Sequence, residues 1–137
     1  MRTVLADACY WVGLANRRDE LHEAAQSASR SLGPFRIVTT DEVLVEFLNY
    51  FADFGDVMRR KAAELVRSVL EHPDVEVAEQ TRESFLSGLA IYESRPDKGY
   101  SLTDCIAMAA MRQHGLTEVL TSDRHFEQEG FAILLKG

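Results

Sequence analysis

Apolar residues in this chain switch between short unbroken runs and a three-to-four-residue spacing, and the alternation lays out the elements. Arg2 to Ala6, with TVLA at its centre, reads as a short buried strand. Ala8 to Asn16 carries Trp11, Val12, Leu14 and Ala15 as a first helix, which Arg17-Arg18-Asp19 interrupts. Leu21, Ala24, Ala25, Ala28 and Leu32 recur at the spacing of an amphipathic helix, and Gly33-Pro34 stops it. Phe35 to Thr39 is a second strand. Thr40 is placed to cap a third helix with Val43, Leu44, Phe47, Leu48 and Phe51 on its apolar face. Gly55-Asp56 separates this from a fourth helix running to about Glu71, and His72-Pro73-Asp74 turns the chain into a strand around Val75 to Val77. A fifth helix begins near Thr81, with Phe85, Leu89 and Tyr92 at helical spacing.

After the loop Pro96-Asp97-Lys98-Gly99, Ser101 stands three residues before Asp104, the arrangement of a capping box at a helix start. Ile106, Ala109, Ala110 and Met111 supply that helix's apolar face, and His114-Gly115 ends it. Glu118 to Thr121 is a fourth strand, a short helix surrounds Phe126-Glu127, and Phe131 to Leu135 is a last strand. Strands that alternate with helices or helix pairs predict an α/β protein, a three-layer α/β/α sandwich around a mainly parallel five-stranded sheet.

At 137 residues the chain is expected to be one domain, residues 1–137, large enough for one substantial core. No apolar run approaches a membrane span, and the opening MRTVLADACYWVGLANRRDE turns charged too early for a secretory signal. Cys9 and Cys105 stand apart without metal-ligand spacing, which points to a reducing, cytoplasmic compartment. The net charge of −7 argues against nonspecific nucleic-acid binding through a broad basic surface, but not against a nuclease whose acidic site is neutralised by metal ions. Arg59-Arg60-Lys61 with Arg67 reads as a solvated helix face.

The acids carry the chemistry. Asp7 follows the first strand, Glu42 and Glu46 lie one turn apart in the helix after the second, Asp104 opens the helix before the fourth strand, and Asp123 follows that strand. In a parallel sheet all of these positions fall at the carboxyl edge, where such folds bind ligands. Each has a plainer role taken singly: Asp7 and Asp123 as helix caps, Asp104 against a helix dipole, the glutamates as solvated charges. Gathered in one cleft they would repel one another unless a cation were present, and hard oxygen ligands suit Mg²⁺ or Mn²⁺.

Over nearly its whole length the chain resembles the PIN domain, the nuclease fold of VapC-type toxins of bacteria and archaea. The resemblance matches Asp7 in TVLADACYW, Glu46 rather than Glu42 in TTDEVLVEF, Asp104 in YSLTDCIAMAAM and Asp123 in LTSDRHF, with Thr121 and Phe126 in its most specific segments. It implies a metal-dependent endoribonuclease with those four acids as catalytic and metal-holding residues, Mg²⁺ or Mn²⁺ as cofactor, RNA as substrate, a homodimer and an antitoxin partner. One departure is Ala8-Cys9, where many PIN domains carry Ser, Thr or Asn beside the first Asp.

A phosphatase of the haloacid-dehalogenase type also puts an Asp after its first strand, but needs a second Asp where Cys9 stands. A PIN fold that only binds RNA or protein, and a stand-alone RNA-processing nuclease, are the alternatives; retention of all four acids weighs against the first. His22, His72, His114 and His125 lack zinc spacing, and His125 reads as a surface histidine beside Asp123. Both cysteines read as packed thiols.

Overall fold

The computed structural model describes residues 1–136. Its strands are β1 (Arg2–Ala6), β2 (Phe35–Thr40), β3 (Val75–Ala78), β4 (Glu118–Leu120) and β5 (Ala132–Ile133). Helices α1 (Ala8–Ala15) and α2 (His22–Ser31) follow β1, and α3 (Asp41–Tyr50) and α4 (Asp56–Glu71) follow β2. Helices α5 (Arg82–Ser94) and α6 (Leu102–His114) follow β3, and α7 (His125–Gln128) follows β4. The strands form one sheet in the order β3-β2-β1-β4-β5, and every pairing is parallel. Each parallel neighbour must be reached by a crossover, so the helices cover both faces.

Successive side chains of a strand point to opposite faces, and the two halves of the core follow from that alternation. Val4, Ala6, Ile37 and Leu120 join Trp11, Val43, Phe47 and Phe51 on one face. Leu5, Val38 and Val119 join Met108, Met111 and Phe126 on the other. Trp11 on the first face donates its indole N–H to Thr39 Oγ1 at 3.4 Å, and that hydroxyl donates to the Ala6 carbonyl at 2.9 Å.

Four expected elements come out differently. The strand expected to reach Thr121 ends at Leu120, because the Thr121 N–H turns back to the Val119 carbonyl at 3.0 Å. The last strand shrinks to Ala132–Ile133, since its only neighbour is the three-residue β4. In α5 the buried positions are Gly88 and Ile91 rather than a Phe85, Leu89 and Tyr92 stripe. A Cβ on Gly88 would lie 2.4 Å from Ile106 Cγ1, so the glycine lets α5 and α6 meet closely, while Tyr92 stays exposed. Helix α6, squeezed between α5 and the sheet, buries seven residues from Asp104 to Met111 rather than one stripe.

Candidate active site

Strand order reverses at β1: the chain steps outward through β2 and β3, then returns to place β4 on the other side. The crevice beyond the carboxyl ends of β1 and β4 is therefore the topological switch point, the place where open α/β sheets bind ligands. Asp7 leaves β1 there as the N-cap of α1, with Oδ1 accepting from the Ala8 N–H at 2.9 Å. Its Oδ2 accepts from the Thr121 hydroxyl at 2.8 Å, and only 6 % of the residue is exposed. Thr121 is fully buried and its Oγ1 also accepts the Asp123 N–H at 3.1 Å. One hydroxyl thus ties the acid after β1 to the acid after β4.

Asp104 is held by a capping box. Ser101 Oγ accepts its N–H at 3.0 Å, and its own Oδ2 accepts the Ser101 N–H at 3.4 Å. Asp123 is half-buried, and its Oδ1 accepts the His125 N–H at 2.9 Å in a tight turn into α7. Glu46 extends from α3, whose start is capped by Thr40 Oγ1 accepting from the Val43 N–H at 3.0 Å.

The carboxyls disturb one another. Burial, reinforced by the charges of Asp104 and Glu46, pushes Asp7 up to about 7 against the pull of its two hydrogen bonds. Burial also raises Asp104, with the Asp123 charge adding to it, and raises Glu46, with Asp104 and Asp123 adding to it. Asp7 and Glu46 therefore sense the same cluster. Asp104, Asp123 and His125 come closest together, each offering a ligand atom within 4.8 Å of the others. Glu42 goes elsewhere: it lines an open groove of about 660 Å³ with Glu76, Glu79, Glu83 and His114.

His125 is the residue that sequence reasoning undervalued. It is not a free surface histidine: its side chain is 33 % exposed, and Nδ1 is buried between Asp123 Oδ1 at 3.3 Å and Asp104 Oδ2 at 3.6 Å. Its ring packs against Tyr100, with centroids 5.3 Å apart. Tyr100 in turn donates to Glu129 Oε1, which Arg95 Nε also holds, at 2.6 Å. The signal available in sequence was only its position two residues after Asp123. The thiols are packed as expected: burial first, then the charge of a neighbouring Asp, raises both Cys9 and Cys105. A raised thiol is a poor nucleophile at neutral pH.

The sequence model of the PIN domain matches residues 4–131. No curated protein matches the chain. By shape the chain is similar to VapC20 of Mycobacterium tuberculosis, described as a sarcin-ricin loop cleaving toxin, with TM-score 0.83 and 22 % identity over 94 % of this chain and 96 % of that one. It is also similar to VapBC2 from Rickettsia felis bound to a promoter DNA fragment, with TM-score 0.67 and 12 % identity over 96 % of each chain. DNA-bound VapBC from Salmonella typhimurium gives TM-score 0.64 and 14 % identity over 97 % of each. At these identities the likeness is one of fold.

Proposed function

Because the chain belongs to the PIN-domain family, we propose that it is an endoribonuclease that hydrolyses RNA with a divalent cation, Mg²⁺ or Mn²⁺, held by Asp7, Glu46, Asp104 and Asp123. The observation that carries this reading is the linked set of carboxyls at the sheet's switch point: the charges of Asp104 and Glu46 act on Asp7, those of Asp104 and Asp123 on Glu46, and that of Asp123 on Asp104. Carboxyls raised by burial and by each other are poised for a cation that replaces their protons. The buried, unpartnered Nδ1 of His125 beside two of them fits the same need. When bound, such an ion activates water and neutralises charge on the phosphoryl oxygens.

The chain's own residues orient that chemistry. Thr121 and the Ala8 N–H hold both oxygens of Asp7. The capping box aims Asp104, and the turn into α7 aims Asp123. The route through a ribose 2′-hydroxyl, which needs a histidine acid and base, has little support. His22 is bonded to the Gly13 carbonyl, His72 to the Asp74 N–H and His114 to Glu76 and the Ala110 carbonyl, so His125 alone stands with the acids. Water attack leaves 5′-phosphate and 3′-hydroxyl ends.

Toxin activity with an antitoxin partner is the biological setting this reading carries, because VapC20 is a toxin and the two VapBC structures share the fold. A homodimer belongs to the same reading, supported by apolar side chains left outside on α3 and α4.

Cleavage of a model RNA tests the proposal. Asp104→Asn and Glu46→Gln are each expected to lose about 100-fold or more in rate, since even residues behind the ligands cost metal sites about 10–100-fold. Glu42→Gln is expected to keep most of it. Cyclic-phosphate ends, or undiminished cleavage by Asp104→Asn in chelator, would refute the mechanism.

A further inference from the structure

We propose that His125 Nδ1 is itself a ligand of the cation, so that the site takes a metal accepting nitrogen, Mn²⁺ or a later first-row ion, in preference to Mg²⁺. The inference rests on the metal-site reading above and goes beyond it by adding a nitrogen to an all-oxygen set.

Four observations carry it. First, Nδ1 is buried and has no hydrogen-bond partner, although two carboxylates flank it. A buried polar atom left unpaired is costly and calls for a partner. Second, its distances of 3.3 Å to Asp123 Oδ1 and 3.6 Å to Asp104 Oδ2 are too long or too poorly aligned for hydrogen bonds. They are close to the separation of about 3 Å between adjacent ligand atoms of one small octahedral ion. Third, the carboxylate oxygens nearest the ring already have donors: Asp123 Oδ1 accepts the His125 N–H, and Asp104 Oδ2 accepts the Ser101 N–H. Those bonds hold them in place and leave the imidazole nitrogen facing the space between them. Fourth, the ring is braced. It packs on Tyr100, whose hydroxyl donates to Glu129, and Glu129 is gripped by Arg95. Ligating histidines are oriented by an outer shell of this kind.

An imidazole nitrogen suits borderline transition ions, whereas carboxylate, carbonyl and water suit Mg²⁺. For Nδ1 to bind, the ring's proton sits on Nε2.

The test uses the purified chain without RNA. Pulsed electron paramagnetic resonance on the Mn²⁺-loaded protein reads a directly bound nitrogen from its hyperfine coupling, and calorimetry compares Mn²⁺ with Mg²⁺. The wild type is expected to show the coupling and to bind Mn²⁺ more tightly than Mg²⁺. His125→Ala is expected to lose the coupling and about tenfold or more in Mn²⁺ affinity, at least what an outer-shell partner costs, with a smaller loss for Mg²⁺. If His125→Ala does not fold, the wild-type spectrum decides alone. Mn²⁺ bound without nitrogen coupling would overturn the role of His125 while leaving the metal site standing. No saturable binding of either ion would overturn both.

Discussion

Asp7 serves the fold and the site with different oxygens. Oδ1 caps α1 and Oδ2 takes the Thr121 hydroxyl, yet burial and neighbouring charge raise the group from 3.8 to about 7. In the metal-free protein the folded state therefore keeps a proton that the unfolded state has released across that interval. Where the folded state binds more protons, stability falls as pH rises. Below about pH 4 this contribution is fully present, and it is lost as pH climbs to about 7. Glu46 and Asp104 are raised and act in the same direction. Between pH 5 and 8 in chelator, Asp7 alone is expected to remove about 2–3 kcal/mol of stability. Asp7→Asn cannot ionise, and its amide can donate to Thr121 Oγ1 where the carboxylate accepted. Denaturant unfolding at the two pH values should show the variant losing about 2–3 kcal/mol less than the wild type. Equal losses would mean that Asp7 titrates near its ordinary value.

Among elements, the contact between α5 and α6 has the tightest tolerance. Besides the 2.4 Å approach to Ile106 Cγ1, a Cβ at Gly88 would meet the Ile106 backbone nitrogen at 3.0 Å. A side-chain methylene can swing aside, but a helix backbone cannot. Alanine favours a helix over glycine by about 1 kcal/mol, while overpacking a core costs about 1–3 kcal/mol. The contact here involves backbone, so the clash is expected to win. Gly88→Ala should destabilise the protein by about 1 kcal/mol or more, read from denaturant unfolding. An unchanged or higher midpoint would show that α5 shifts freely on α6. Because α6 begins with Ser101 and Asp104, the same packing fixes where one of the acids enters the crevice.

On the scale of the whole molecule, α3 and α4 divide their apolar residues between two destinations. Val43, Leu44, Phe47 and Phe51 enter the core, and Met58 packs against it. Val45, Leu48, Tyr50, Phe54 and Val57 stay outside, with Val57 60 % exposed. Tyr50, Phe51 and Phe54 form a continuous aromatic corner with ring centroids 4.9 to 5.2 Å apart. Exposed apolar patches of this kind mark interaction surfaces. Light scattering of the isolated chain at tens of micromolar is expected to give a dimer mass, and Phe54→Asp with Val57→Asp to give a monomer. A monomeric wild type would remove the homodimer from the functional reading.

Much of this architecture is written between near neighbours in the chain. The runs at Val4–Ala6 and Ile37–Thr39, the Ser101–Asp104 capping box and the stops at Gly33-Pro34 and Gly115 depend on residues a few positions apart, so periodicity and capping chemistry reveal them. The resemblance picks out its four expected acids through equally local segments: Asp7 and Asp123 after strands, Asp104 in the first turn of α6 and Glu46 within α3. Other properties depend on groups far apart in sequence. The Thr121 hydroxyl reaches Asp7 across 114 positions because β4 pairs with β1, and nothing local specifies that pairing. Gly88 is buried in α5 because it presses on Ile106, a contact invisible to a pattern that weighs only apolar size. His125 is placed between two carboxylates by the turn after β4, the capping box of α6 and the Tyr100 ring together. Hydrophobic period and hydrogen-bonded caps act within one or two turns of chain and are legible there. Strand order, close helix contacts and shared electrostatics act through space, and only the tertiary structure decides them.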